Sequence, residues 1–340
     1  MPAVLKIFLF ALALSVLALP AGARDDCIAR LPIRNQMPTA AIFLELTGLS
    51  PCVIPEGSSQ FVFGGQYSNT SMGGEENDAV ILIDSERFDG HVLLRFGLPW
   101  RSDLALRFGF VRDGAGFMDS LIRQFHELTD SNSGNRADRA DGLYEYTQQW
   151  TNSGAGFSLT DPPQGASEPV VTFRHQAGEF GLWRWREVIW GWRLALKLPL
   201  PDSSPAIGSG RLDFGGGLLL DGLFHSPWGA LHTFADVGIV HLGETEATVF
   251  PIHEWVPMGG AGFALPLSSR WSLLAQWQLS AARYPYPPLH KLARPQSIFA
   301  IAGNYRTEGG LLSFGITEDP TIASEDFGLF VFYRTAAPGL

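Results

Sequence analysis

SDLALRFGFVRD, residues 102–113, decides the fold class. Leu104, Leu106, Phe108 and Phe110 share one parity, and Asp103, Ala105, Arg107 and Gly109 share the other. Successive side chains of a strand point to opposite faces, so this stretch has an apolar, aromatic face and a small, charged one. The run before it repeats the pattern, with Val92, Leu94, Phe96 and Leu98 opposite Arg95 and Gly97. Downstream, Leu212, Phe214, Leu218 and Leu220 oppose Arg211, Asp213 and Gly215. Trp271, Leu273, Ala275, Trp277 and Leu279 oppose Gln276 and Gln278. Phe299, Ile301 and Tyr305 form a similar apolar face, as do Leu312, Phe314 and Ile316.

Such segments run for about nine to eleven residues, the length of a tilted strand crossing a bilayer. Arg, Asp and Gly together on the second face suit a wet barrel lumen. A soluble periplasmic or secreted β-protein would also alternate, and differs only in its strand lengths and its need to bury the apolar face. Strands in lipid must close, because an open edge leaves backbone groups unpaired in hydrocarbon. The expected fold is therefore all-β: a transmembrane antiparallel β-barrel of about 12–14 strands. Fourteen candidate strands can be marked, with twelve the main alternative. The stretches 77–86, 90–99 and 142–151 are among them.

One stretch breaks the rhythm. In GFMDSLIRQFHELTD (116–130) the apolar residues Phe117, Met118, Leu121, Ile122, Phe125 and Leu128 fall within an arc of about 140° at helical spacing. Asp119, Arg123 and Glu127 stand four apart and can pair across turns. This predicts an amphipathic helix in a loop, packed on the barrel. Its polar face carries Asp119, Arg123 and His126, which invites a hydrolase reading. Ser120 and His126, however, are six residues apart and do not share a helical face, so packing explains the helix before chemistry does.

The chain opens with MPAVLKIFLFALALSVLALPAGA, in which Lys6 precedes an apolar run and small residues end it. The apolar run is too short to span a membrane, and the stretch reads as a secretory signal peptide over 1–23. The remaining organisation reads as an N-terminal periplasmic or plug segment over 24–57, a barrel over 58–335 and a short tail over 336–340. Charges number 24 Lys and Arg against 34 Asp and Glu, a net of −10. The leader contributes only Lys6, so the exported part is more acidic still. That argues against nucleic acid as a partner. Cys27 and Cys52 are the two cysteines. In an oxidising compartment a disulfide between them is the expectation, with two free thiols as the alternative.

Catalytic signatures are missing: there is no G-x-S-x-G elbow, phosphate loop or H-E-x-x-H. DSNSGNRADRAD (130–141) mimics a calcium loop but has Asn135 where that loop needs glycine. No metal or cofactor is expected. Trp190 and Trp192 share parity with Leu194 and Leu196 and are expected to face lipid near the headgroups. Trp183 and Trp185 have the opposite parity, which calls for a bulge near Gly191 or a strand that has left the membrane. DFGLFVFY (326–333) resembles the C-terminal signal that barrel-assembly machinery reads, carried by Asp326, Gly328, Val331 and Tyr333, although a tail follows it.

Several motifs together resemble one family. PIRNQMP (32–38) follows the leader, and Asp89-Gly90 forms an acid-glycine turn before a strand ending Phe96-Gly97-Leu98. Gly116-Phe117-Met118-Asp119 then leads to His126. The chain resembles an uncharacterised family of Gram-negative envelope proteins, domain of unknown function 3187. The resemblance implies an outer-membrane barrel and transfers no catalytic residue. The expected function is passive or gated passage of small solutes, with Arg95, Arg107, Arg211 and Asp213 lining the lumen and outer-membrane lipid outside. A lipid-modifying hydrolase and a structural or recognition barrel with a plugged lumen are the alternatives.

Overall fold

The first hairpin turns on Asn77 and Asp78, whose φ angles are 51° and 62°. Two successive positive φ values match the twist of the flanking strands, and Asn and Asp tolerate them better than most residues. The turn joins β1 (Ser59–Glu76) to β2 (Ala79–Leu98). The computed structural model describes residues 30–336 except 47, 119–141, 183–184, 202, 227–228, 287 and 322.

β3 (Ser102–Gly114), β6 (Gln164–Leu182), β7 (Trp185–Lys197), β8 (Asp213–Ser226) and β9 (Gly229–His241) follow round the wall. β10 (Trp255–Pro266), β11 (Trp271–Ser280), β12 (Gln296–Thr307), β13 (Gly310–Glu318) and β14 (Phe327–Thr335) complete it. Each pairs antiparallel with its neighbours, and β14 returns to β1, with Val62 opposite Arg334 and Asn69 opposite Phe327. The ring is a closed twelve-stranded antiparallel β-barrel. β4 (Glu145–Trp150) and β5 (Gly156–Leu159) stand off the ring, β4 pairing with the Ala79–Asp84 end of β2.

Two corrections take fourteen candidate wall strands to twelve. The stretches 77–86 and 90–99 are one strand, β2, in unbroken register with β1 from Glu76–Ala79 to Ser59–Phe96. Asp89-Gly90 is not a turn: Gly90 sits mid-strand opposite Gly65 and Phe110, and Asp89 points inward to Arg107. The stretch 142–151 forms β4, which is outside the wall. Of the two readings offered for Trp183 and Trp185, a bulge near Gly191 or a strand that has left the membrane, the first is met only in part: the shift beside Gly191 falls on β6, between Gln176 and Gly178, while β7 runs through Gly191 unbroken and shifts at Trp185–Glu187.

Side chains sort by parity around the ring. Leu194, Leu218, Val237, Trp277 and Val331 are exposed on the outer face. Aromatic groups cluster at both ends of that face: Trp271 with Tyr305 at 4.7 Å, and Trp255 with His241 at 4.8 Å. Two such girdles bound the apolar band of a membrane barrel. The inner parity carries Arg95, Asp103, Arg174, Arg193, Asp213 and Gln276, all buried. At one end the strands are joined by short turns at 99–101, 267–270 and 308–309; at the other the connections 115–163, 198–212, 242–254, 281–295 and 319–326 are long.

What buries the inner face is the chain's own N-terminal part. Residues 30–46 and 48–57 run inside the ring with one helical turn, α1 (Pro38–Ala41). Met37, Phe43 and Leu44 of this segment pack at the long-connection end against Met72, Ile81, Tyr146, Phe250 and Tyr284. Leu31 and Ile33 pack on Phe234, Leu274 and Phe330 from the wall. The helix expected over 116–130 lies, from Asp119 onward, outside the described residues. Its first residues are held on the outer face: the N–H groups of Phe117 and Met118 donate to Glu86, and the Phe117 ring stacks on Tyr67 at 5.3 Å.

Candidate functional site: the charged lumen

The inner face is a chain of shared ion pairs. Arg30, at the start of the inner segment, reaches Asp221 on β8 at 2.5 Å and Asp236 on β9 at 2.9 Å. Asp236 also takes Arg193 of β7 at 3.0 Å. Asp221 accepts a hydrogen bond from Ser50 Oγ at 2.5 Å. The Arg30 guanidinium lies 4.6 Å from the centre of the Phe234 ring. Deeper round the wall, Asp103 holds both Arg174 at 2.5 Å and Arg95 at 2.7 Å. Lys197 is shared by Glu168 at 2.6 Å and Asp213 at 3.0 Å. Asp89 sits between Arg107 at 3.0 Å and Arg34 of the inner segment at 3.7 Å. A buried charge is tolerable only with a partner of this kind, and each cation here has a carboxylate within reach.

Some buried polar groups lack a protein partner. Both amide atoms of Gln278, both ring nitrogens of His91 and the Ser167 hydroxyl have none among the described residues. Buried groups of this sort are ordinarily satisfied by ordered water. A cavity of about 10 Å3 between the inner segment and the wall, lined by Arg34, Glu45, Arg107, Ser167 and Lys197, has room for about one water.

One contact lies in a connection rather than a strand. Glu325, in 319–326, accepts the Gln36 backbone N–H at 2.8 Å and the Gln66 side-chain amide at 2.9 Å. Burial pushes its carboxyl up to about 8, against the pull of the Gln36 N–H, and Glu45 and Asp319 add to the rise.

The residues singled out from sequence fall as follows. Arg95, Arg107 and Asp213 are on the inner parity and in ion pairs. Arg211 is exposed and precedes β8, which begins at Asp213. Asp119, Arg123 and His126 lie outside the described residues, as does Cys27. Cys52 is disulfide-bonded. Asp326 accepts the Ser71 N–H at 3.0 Å, Val331 faces outward, and the Tyr333 ring lies tilted against Phe63 at 5.4 Å. Gly328 is on the inner parity, so these four do not share a face. Among the described residues no group of His, Cys, Asp and Glu could hold a metal ion. Sequence reasoning missed Arg174, Arg193, Lys197, Asp221 and Asp236. Their signal was available: Arg193 and Lys197 have the parity opposite to Trp190, Trp192 and Leu194.

A family model described as "Protein of unknown function (DUF3187)" matches residues 6–335. The chain belongs to that family. No curated protein matches this DUF3187 chain. Among solved structures it is similar to the COG4313 outer membrane channel from Pseudomonas putida F1, with a TM-score of 0.52 and 13% identity over 86% of this chain and 99% of that one. Looser matches include the transport unit of the autotransporter AIDA-I from Escherichia coli (TM-score 0.41, 12% identity, 89% of this chain and 98% of that one). Another is the translocator domain of the autotransporter NalP from Neisseria meningitidis (TM-score 0.39, 10% identity, 86% and 90%). At 13% identity the feature shared with the COG4313 channel is the barrel fold alone.

Proposed function

We propose that this DUF3187 protein is a gated outer-membrane channel for small solutes, with residues 30–57 as the gate. The leader over 1–23 would export it and the strand around Gly328, Val331 and Tyr333 would be read on insertion. The long connections would face away from the cell. A disulfide from Cys52 to Cys27 would tie the gate into a loop below Arg30.

The observation that carries this reading is Arg30 bridging Asp221 and Asp236. Buried ion pairs hold a structure no better than well-packed apolar groups of the same volume. A permanently filled barrel gains nothing from a charged wall. A lumen that is sometimes wet needs one, because its groups must be solvated when the filling leaves. The fold is also one that a solved outer-membrane channel uses.

Planar-bilayer recordings test it. The wild-type chain should be nearly silent. Arg30→Gln, which unties the gate from both aspartates, should give frequent openings, and Asp221→Asn should act in the same direction. Wild-type silence with both variants equally silent would reject gating and favour a barrel whose lumen is permanently plugged.

A further inference from the structure

The wall holds the main chain of the inner segment as well as its side chains, and it does so at two-residue intervals. Lys197 Nζ donates to the Ile42 carbonyl at 2.7 Å, and the Leu44 N–H donates to Asp213 Oδ2 at 2.8 Å. Lys197 and Asp213 are themselves an ion pair. Farther on, Arg174 donates to the Ser50 carbonyl at 2.7 Å and Arg95 to the Cys52 carbonyl at 3.2 Å. The Ile54 N–H donates to Asp103, the carboxylate those two arginines share. At the other end of the segment, Gln276 accepts the Leu31 N–H at 3.0 Å and donates to the Leu31 carbonyl at 3.1 Å. Alternate residues of extended chain face the same way, so the contacts at 50, 52 and 54 match extended backbone, whereas those at 42 and 44 lie just past α1, with Ile42 itself still helical at φ −75° and ψ −13°.

The chemistry of the wall narrows what else could lie there. Each reading group is a donor set beside an acceptor: an ion pair or a side-chain amide. A peptide unit offers one carbonyl and one N–H, and so uses both halves. A simple anion would use the cations and leave the carboxylates buried without partners, which is costly. A simple cation would do the reverse. None of these contacts depends on the side chains of the inner segment. We propose that the lumen wall is a track for peptide backbone, which residues 31–54 occupy as an intramolecular surrogate, helical over 38–41 and extended over 50–54, and that short peptides are the solutes. This rests on the channel reading and names its substrate class.

The test uses the full chain carrying Arg30→Gln, with the blocked peptide acetyl-(Ala-Ser)3-amide as probe and maltotriose and citrate as comparison solutes. In bilayers the peptide should interrupt the current with the longest dwell times. Adding Gln276→Ala or Asp213→Asn should shorten those dwell times about five-fold, the worth of one hydrogen bond. Equal interruption by maltotriose or citrate, or peptide dwell times indifferent to both added substitutions, would overturn the proposal. Calorimetric titration of the same peptide into the same variants in detergent is read alongside. Heat that weakens with Gln276→Ala supports the track even if no current flows, in which case the channel reading fails alone. No heat overturns the track, whatever the current does.

Discussion

Asp103 shows at the scale of one residue what the lumen demands. It accepts from Arg95, Arg174 and the Ile54 N–H together, with no exposure to solvent. Asp103→Asn leaves two buried guanidiniums facing each other, and removing one partner of a buried pair costs about 3–5 kcal/mol. Arg101 and Glu179 also pair, but each is about half exposed, and such surface pairs contribute under about 1 kcal/mol. Urea unfolding in detergent should therefore separate Asp103→Asn strongly from Arg101→Ala; comparable midpoints would contradict the buried network. Parity made Arg95 and Arg107 legible as inward residues. It could not reveal their partners, because which strand lies beside which, and in what register, is set by closure of the ring. Arg30 and Arg34 were invisible for another reason: RLPIRNQMP (30–38) has no periodicity to mark a facing surface. Arg211 was assigned to the lumen because alternation was extended two residues beyond where β8 begins.

Among the elements, the connection 319–326 holds the inner segment in a way that depends on pH. The Glu325 carboxyl titrates near 8 when buried against Gln36, and near the ordinary carboxylate value of 4.5 in water. The closed form thus binds a proton that the released form has lost. Raising the pH between those values weakens the closed form, and the effect saturates above about 8. Amide exchange at Gln36, corrected for base catalysis with an unstructured reference, should rise across this window. Glu325→Gln should flatten the profile, and a profile unchanged by that substitution would assign the dependence elsewhere. Elements were the hardest scale to read from sequence. Asp89-Gly90 looks like a turn on local chemistry, yet the pairing of β1, β2 and β3 carries the strand straight through it. Asn77-Asp78, with no glycine, makes the real turn. β5, only four residues long, gave no alternation to find.

The molecule as a whole follows from one rule applied twelve times, apolar side chains outward and no free edge in lipid, with an inner face that is charged on one side of the ring and apolar at Phe234, Leu274 and Phe330. Alternation made the barrel legible, because the lipid face and the lumen face differ in kind. The sequence left 24–57 open between a periplasmic and a plug segment, and which wall groups it meets was not legible, since an irregular chain carries no periodicity to mark a facing surface. The central claim is that residues 30–57 are a gate rather than a fixed core. A Cβ built on Gly48 would lie 2.9 Å from Gln276 Nε2, so a short bifunctional thiol-reactive linker can join cysteines at 48 and 276 in the full chain carrying Arg30→Gln. The most direct measurement is the current through that protein before and after linking. The gate account predicts openings before and silence after; unchanged openings in the linked protein would contradict it.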